Sequence, residues 1–273
     1  MTQATGSAGT LSRMVGTVAV TLAATTLVGG CGLKSEPAAT PGSGSVASPT
    51  ATPREALLDA VPGETDGAFR FAGKDASSDV SGRIDPASKA IEITMAMPPD
   101  KDGITTKMSF LVIEDKLWMK AKFSGQPGLP KFPDKWMALD RSKLTDEGSV
   151  PRYDGADQGN AGPLIEAATS VEQQEPGKYT GFIDVTSGNA AKALDEGEAE
   201  ALGEAGKHVP FTALVGPDNH LSSLVLEMPS VGKHKAYRYV VTYTDFGSAP
   251  KITAPTGSAA MKAPALAYEL LNG

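Results

Sequence analysis

The chain has 273 residues, with 25 basic and 32 acidic side chains and a formal charge of −7 at neutral pH. This acidic balance gives no general attraction to nucleic acid or to an anionic membrane surface, so we expect no nucleic-acid partner. The single cysteine excludes a disulfide within the chain, and the fold must therefore be held together by its core.

The first 30 residues have the three parts of an export signal. Arg13 is their only charged side chain, an apolar run occupies residues 14–28, and two glycines precede Cys31. The run is shorter than the ~20 residues that a membrane-spanning helix needs. The sequence LVGGC, which ends in Cys31, resembles the lipobox of bacterial lipoproteins. The resemblance implies that residues 1–30 are a cleaved signal peptide and that Cys31 carries acyl chains, which would anchor the protein at the extracytoplasmic face of the cell membrane. The alternative is a buried or incidental cysteine.

A linker follows the cysteine. Residues 31–53 consist mainly of Gly, Pro, Ser, Thr and Ala and hold almost no bulky apolar side chain. Such a composition buries too little surface to offset the chain entropy lost on folding. We therefore expect a disordered tether that spaces a folded domain from the membrane. The remaining residues, 54–273, are enough for one β-rich domain with a single core.

The predicted domain begins with a short helix and continues as antiparallel strands. Thr52-Pro53-Arg54-Glu55 is a capping box with proline at the first helical position, and Pro62-Gly63 ends the helix after Val61. Apolar and polar residues then alternate, as they do in strands with one solvated face. The predicted strands are 67–73, 78–84, 90–97, 105–113, 116–122 and 135–139.

The second half of the domain mixes predicted helices and strands. Helical spacing predicts helices over 160–172 and 187–202, with a strand at 178–185 between them. Further strands are predicted at 208–215, 220–228 and 235–245. Residues 265–271 predict one or two helical turns in an otherwise irregular tail. This order is typical of an α+β fold with one large antiparallel sheet.

Three segments resemble sequences of the LppX/LprAFG-like lipoproteins of actinobacteria, within the wider LolA-like superfamily. They are VIEDKLWMK (Val112 to Lys120), KWMALD (Lys135 to Asp140) and YRYVVTYTDFG (Tyr237 to Gly247). With the lipobox and linker, the resemblance covers most of residues 54 to 256. It implies a strongly curved antiparallel half-barrel whose concave side, covered by helices, forms a cavity for acyl chains. Binding or carriage of a lipid or other amphiphile is the function that this resemblance implies.

Flexible apolar side chains in the predicted strands favour such a cavity, since methionine thioethers suit a surface that accepts chains of different shape. Ordinary core packing would use the same residue types, so both interpretations stay open. The candidate cavity residues are Met95, Met97, Met108, Phe110, Trp118, Met119 and Met137. We expect strands 90–97, 105–113 and 116–122 to line a void, with the two predicted helices as its lid.

The sequence carries no pattern typical of catalysis. It contains no G-x-S-x-G, no H-E-x-x-H, no phosphate-binding loop and no cysteine nucleophile. His208, His220 and His234 lack a second histidine at metal-ligand spacing, and we interpret them as surface residues. We therefore expect neither an enzyme nor a metal or other cofactor. The alternative to lipid carriage is an interaction or sensor domain of the cell envelope that binds a protein partner on its surface.

Overall fold

The computed structural model describes residues 51–232 and 235–273 of the chain. The predicted signal peptide, Cys31, nearly all of the linker and His234 lie outside the described residues. Within the described residues, no helix has the length and apolar character needed to cross a membrane. The fold is α+β, with one 12-stranded sheet and few short helices.

The sheet is open and mostly antiparallel. Its strands are β1 (Phe69–Lys74), β2 (Asp79–Asp85), β3 (Ala90–Met97), β4 (Thr105–Ile113), β5 (Lys116–Ser124), β6 (Trp136–Leu139), β7 (Ala168–Glu175), β8 (Lys178–Ile183), β9 (Val209–Val215), β10 (Leu221–Met228), β11 (Tyr237–Thr244) and β12 (Ala260–Lys262). Their spatial order is β12-β6-β5-β4-β3-β2-β1-β11-β10-β9-β8-β7, with β12 parallel to β6. Because β12 and β7 form separate edges, the sheet does not close into a barrel.

Four α-helices accompany the sheet in the described residues. They are α1 (Pro53–Asp59), α2 (Ala161–Glu166), α3 (Glu198–Leu202) and α4 (Ala265–Asn272). The predicted capping box at α1 is confirmed: Thr52 Oγ1 accepts a hydrogen bond from the Glu55 N–H at 3.3 Å, and the Glu55 carboxylate accepts one from the Thr52 N–H at 2.7 Å. α1 and α2 contact each other and bury Leu57, Leu164 and Ile165 in the main core. We call the sheet face that packs in this core the inner face.

The two faces of the sheet carry alternate residues of each strand. Across neighbouring strands, Ile91 lies opposite Val112, and Val112 lies opposite Leu117. All three are buried in the main core on the inner face. A second, smaller cluster on the outer face consists of Ala90, Leu111, Trp118 and Ile252.

The chain after β11 wraps around the β6 edge of the sheet. It first crosses the outer face, where Asp245 pairs with Arg70 of β1 at 2.9 Å and the Ile252 N–H donates to the Asp85 carboxylate at 3.3 Å. β12 then pairs with β6, and α4 packs against the main core on the inner face. We call residues 245–273 the C-terminal arm.

Every predicted strand is confirmed, with ends that differ by at most two residues. The helix predicted over 160–172 is wrong beyond Glu166, since residues 168–175 form the edge strand β7. β7 pairs with the free edge of β8, and backbone hydrogen bonding along that edge outweighs local helical spacing.

The helix predicted over 187–202 is also wrong for most of its length. This segment contains a 3-10 turn at Ala190–Ala193 and the short α3. Gly188 and Gly197 adopt left-handed backbone angles, with φ of 60° and 79°, which interrupt a continuous helix. The predicted helical turns at 265–271 are confirmed as α4.

Candidate functional site

Candidate cavity residues come together on the inner face in rows that run across the strands. One row, set by the strand register, consists of Ile93, Phe110, Met119 and Met137. Phe110, Met119 and Met137 have no exposed surface, and Ile93 is 8% exposed. This row belongs to the closed part of the main core.

The next rows, toward the β3–β4 turn, emerge from the core. Met95 lies opposite Met108, and Met97 lies opposite Thr106. Exposure rises in the same direction, because Met95 and Met108 are half-buried whereas Met97 is 39% exposed. We call Met95, Met97 and Met108 the methionine rim.

Apolar neighbours join the methionine rim to the core. Val80 of β2 lies opposite Met95, and Ala121 of β5 lies opposite Met108. Val80 and the nearby Phe123 are half-buried and pack against the main core. Apolar surface therefore extends from the buried row to solvent without an intervening row of polar side chains.

Trp118 lies apart from the other candidate residues. It is on the outer face, where it packs with Leu111 and Ile252 and is 8% exposed. Adjacent residues of a strand point to opposite faces, and its neighbour Met119 is on the inner face. This corrects the prediction for Trp118, which cannot line a space shared with the inner-face methionines.

Two clefts are prominent in the described structure, and neither coincides with the expected void. One, of about 370 Å³, lies on the outer face beside Arg70, Arg83, Glu92 and Thr242. The other, of about 650 Å³, lies beside α4. The inner face next to Met119 is filled by packed side chains, so a ligand there would meet the methionine rim first. It would reach deeper only where flexible side chains move.

The segment predicted as a lid, 187–202, lies next to the first residue of β11 and the β1–β2 turn. The Tyr237 hydroxyl donates to Glu198 of α3 at 2.7 Å, and burial, reinforced by this carboxylate, raises the pKa of Tyr237. Partial desolvation and the nearby charge of Asp75, in the β1–β2 turn, raise the pKa of Asp195. The hydrogen bond between Tyr237 and Glu198 therefore holds the segment, while the carboxylates of Asp75 and Asp195 disfavour each other's negative charge.

A tyrosine pair anchors α2 to β11, a role that sequence patterns did not indicate. The Tyr243 hydroxyl donates to Asp157 Oδ1 at 2.6 Å, and the Tyr239 hydroxyl donates to the Gly159 carbonyl at 3.0 Å. Burial raises the pKa of both tyrosines, and the charge of Asp157 adds to the effect. Asp157 also accepts hydrogen bonds from the first N–H groups of α2, so one carboxylate links the helix to the sheet.

The histidines differ from one another. His208 is exposed, as predicted, but His220 is only 28% exposed at its side chain. Its Nε2 lies 3.3 Å from Asp66 Oδ1, its Nδ1 lies 3.1 Å from Asp218 Oδ2, and its ring stacks on Phe246. His220 is therefore a packed residue rather than a surface one. Over residues 51–232 and 235–273, no group of three His, Cys, Asp or Glu residues is placed to hold a metal ion.

Comparison with known proteins identifies no family for this chain: no family model matches it, and no curated protein matches it. The resemblance to the LppX/LprAFG-like lipoproteins stays a prediction.

Proposed function

We propose that the domain binds the acyl chain of a lipid or another amphiphile at the methionine rim and along the inner face of the sheet. The observation that carries this proposal is the continuous apolar surface from the buried Phe110 and Met119, through the half-buried Met108, to the exposed Met97. An exposed apolar strip on a soluble domain marks a place where apolar matter binds. Methionine at each rim position lets that surface adapt to chains of different shape.

The proposal places this domain on a lipoprotein at the extracytoplasmic face of the cell membrane, in the LppX/LprAFG-like family. Its support is the lipobox that ends in Cys31, followed by the linker. Two or three acyl chains on Cys31, at ~0.8 kcal/mol per buried methylene, would make the attachment stable. The open sheet with α1 and α2 on one face supports a half-barrel of the LolA-like kind.

The depth of binding determines the affinity that this site can reach. About five methylenes lying across the rim would contribute about 4 kcal/mol to the binding free energy. This corresponds to a dissociation constant of about 1 mM. Micromolar binding needs about ten buried methylenes, more than a shallow contact covers. A micromolar ligand would therefore have to pass the rim and displace side chains near Met119.

The proposal is tested by titrating the full-length chain with 11-(dansylamino)undecanoic acid, whose fluorescence rises in an apolar site. Met108→Glu should weaken binding about tenfold or more, because a carboxylate would be desolvated beneath the alkyl chain. Lys107→Glu is the matched control: it introduces the same side chain at the adjacent residue, which is exposed and points to the outer face. It should leave the affinity within about twofold.

Two results would contradict the proposal. One is equal affinity of the two variants at equal unfolding midpoints. The other is no binding by the wild-type chain together with no lipid extracted, by mass spectrometry, from protein purified from its own host. The second result would favour the alternative, an envelope domain that binds a protein partner.

A further inference from the structure

We infer that the methionine rim is a site of reversible oxidation by hydroperoxides, and that oxidation there weakens amphiphile binding. The first part depends only on the placement of the methionines. The second part rests on the function proposed above.

Six of the seven described methionines fall into two groups with different access to solvent, and the seventh, Met261 of β12, is half-buried away from the rim. Met97 is 39% exposed, and Met95 and Met108 are half-buried on the same patch. In contrast, Met119 and Met137 are 0% exposed and Met228 is 2% exposed. A peroxide must reach the sulfur atom to react with it, so oxidation should follow exposure. The buried methionines serve as internal controls within the same chain.

The chemistry requires no catalytic group. The thioether sulfur attacks one oxygen of the hydroperoxide, an S–O bond forms and the O–O bond breaks. The departing oxygen takes a proton and leaves as water or an alcohol. Sulfur is oxidised by two electrons, the hydroperoxide is reduced by two, and the product is methionine sulfoxide, which methionine sulfoxide reductases convert back.

Oxidation would change the character of the rim because the neighbours of Met95 and Met108 on adjacent strands are apolar, whereas Met97 lies opposite Thr106. A sulfoxide oxygen on Met95 or Met108 would lie among Val80, Ala121 and Phe123, whose side chains offer no hydrogen-bond donor. Covering that oxygen with an alkyl chain would remove its water without replacing the hydrogen bond. Since Met95 and Met108 are direct cross-strand neighbours, a chain that contacts one also contacts the other, and one sulfoxide is enough to disturb binding.

The site is tested first by mapping oxidation. The full-length chain with Cys31→Ser, which removes the one thiol, is exposed to limiting hydrogen peroxide and digested, and each methionine is quantified by mass spectrometry. Met95, Met97 and Met108 should oxidise about tenfold or more faster than Met119, Met137 and Met228. Similar rates in the two groups would overturn the inference.

The effect on binding is tested with the dansyl fatty acid. Oxidised protein should bind it about tenfold or more weakly, and treatment with methionine sulfoxide reductases should restore the affinity. The triple variant Met95→Leu, Met97→Leu and Met108→Leu keeps the apolar volume, so it should bind normally and lose no affinity in peroxide. Unchanged binding by the oxidised wild type, or an equal loss in the triple variant, would overturn this part. Failure of the unoxidised protein to bind would refute the proposed function and this part with it, while the oxidation map would still decide the first part.

Discussion

At the level of single residues, the alternation of side chains along a strand places adjacent residues on opposite faces of the sheet. Trp118 and Met119 are adjacent, yet one packs on the outer face and the other in the main core. The same alternation places Lys120 and Lys122 of β5 on the outer face with Trp118. Alternation does not determine the graded exposure of Met95, Met97 and Met108, because that depends on which parts of the inner face the rest of the chain covers.

Met119→Arg should destabilise the fold rather than act on ligand uptake alone. Met119 is 0% exposed, and burying an unpaired guanidinium there is expected to lower the free energy of unfolding by about 3 kcal/mol or more. Met97→Arg, at the exposed end of the rim, should change it by less than about 0.5 kcal/mol. Urea unfolding followed by circular dichroism measures both. Wild-type stability in Met119→Arg would mean that the inner face holds space next to this residue, and would restore the expected void.

Tyr243→Phe should remove a structural hydrogen bond without changing the shape of the core. The Tyr243 hydroxyl donates to Asp157 at 2.6 Å, and its loss leaves a half-buried carboxylate short of one donor, at a cost of about 1–3 kcal/mol. Thr244→Val, one residue away at an exposed position of the outer face, should cost less than about 0.5 kcal/mol. The two variants are compared by urea unfolding at neutral pH. Equal stability of the two would contradict the anchoring role of Tyr243.

The same tyrosines predict a loss of stability in alkali. Burial holds the folded-state pKa of Tyr239 and Tyr243 above the ordinary value of about 10. Above about pH 10 the unfolded chain loses these protons and the folded chain keeps them, so the free energy of unfolding falls by up to ~1.4 kcal/mol per pH unit for each tyrosine. Tyr243→Phe should therefore show a shallower decline than the wild type in urea unfolding at about pH 8, 10 and 11. Parallel declines would contradict the prediction.

At the level of elements, the local alternation of apolar and polar residues predicted most strands. It failed for strands that form only because they pair with a neighbouring strand. β3 (Ala90–Met97) and β4 (Thr105–Ile113) match their predicted ends because apolar and polar residues alternate over most of each strand, although Ala90 and Leu111 are also buried on the outer face. β7 is an edge strand with most of its residues exposed, so no buried face imposes period two. β12 has three residues, too few to show any period, and it exists through pairing with β6.

The contact between the C-terminal arm and β2 predicts that removing the Asp85 carboxylate lowers the stability of the fold. Asp85 is 2% exposed and accepts hydrogen bonds from Ser88 and from the Ile252 N–H, so it links the β2–β3 turn to the arm. Asp85→Ala should lower the free energy of unfolding by about 1–3 kcal/mol and speed amide exchange at Ile252. Asp79→Ala, on the same strand, removes a carboxylate paired with Lys74 at 3.4 Å in an exposed setting and should have little effect. Unchanged exchange at Ile252 in Asp85→Ala would show that the arm is held by its other contacts.

At the level of the whole molecule, some apolar surfaces of the described domain are covered by other parts of the chain and others are exposed to solvent. The C-terminal arm covers Trp118 on the outer face and closes the β6 edge, while α1 and α2 cover the inner face beside β7 and β11. The rim end of β3 and β4 keeps exposed apolar surface on the inner face, whereas the exposed Phe182 of β8 and Leu214 of β9 lie on the outer face. A domain that needed only a stable core could place polar residues there at no cost, which is why the rim is the part of the surface that we assign to binding.

Anchoring and ligand binding should therefore be separable. If Cys31 carries the acyl chains that hold the protein at the membrane, Cys31→Ser should reduce the share of the protein in the membrane fraction, because the substitution removes the site of acylation. The variant should still bind the dansyl fatty acid, since the methionine rim lies far along the chain from the cysteine and beyond the linker. Met108→Glu should show the opposite pair of results, with membrane association retained and fatty-acid binding weakened about tenfold or more. Fractionation of host cells by detergent partition, followed by titration of the purified proteins, measures both properties.

Loss of fatty-acid binding in Cys31→Ser would mean that the anchor itself forms part of the site. Loss of membrane association in Met108→Glu would mean that the rim, rather than the cysteine, holds the protein at the bilayer.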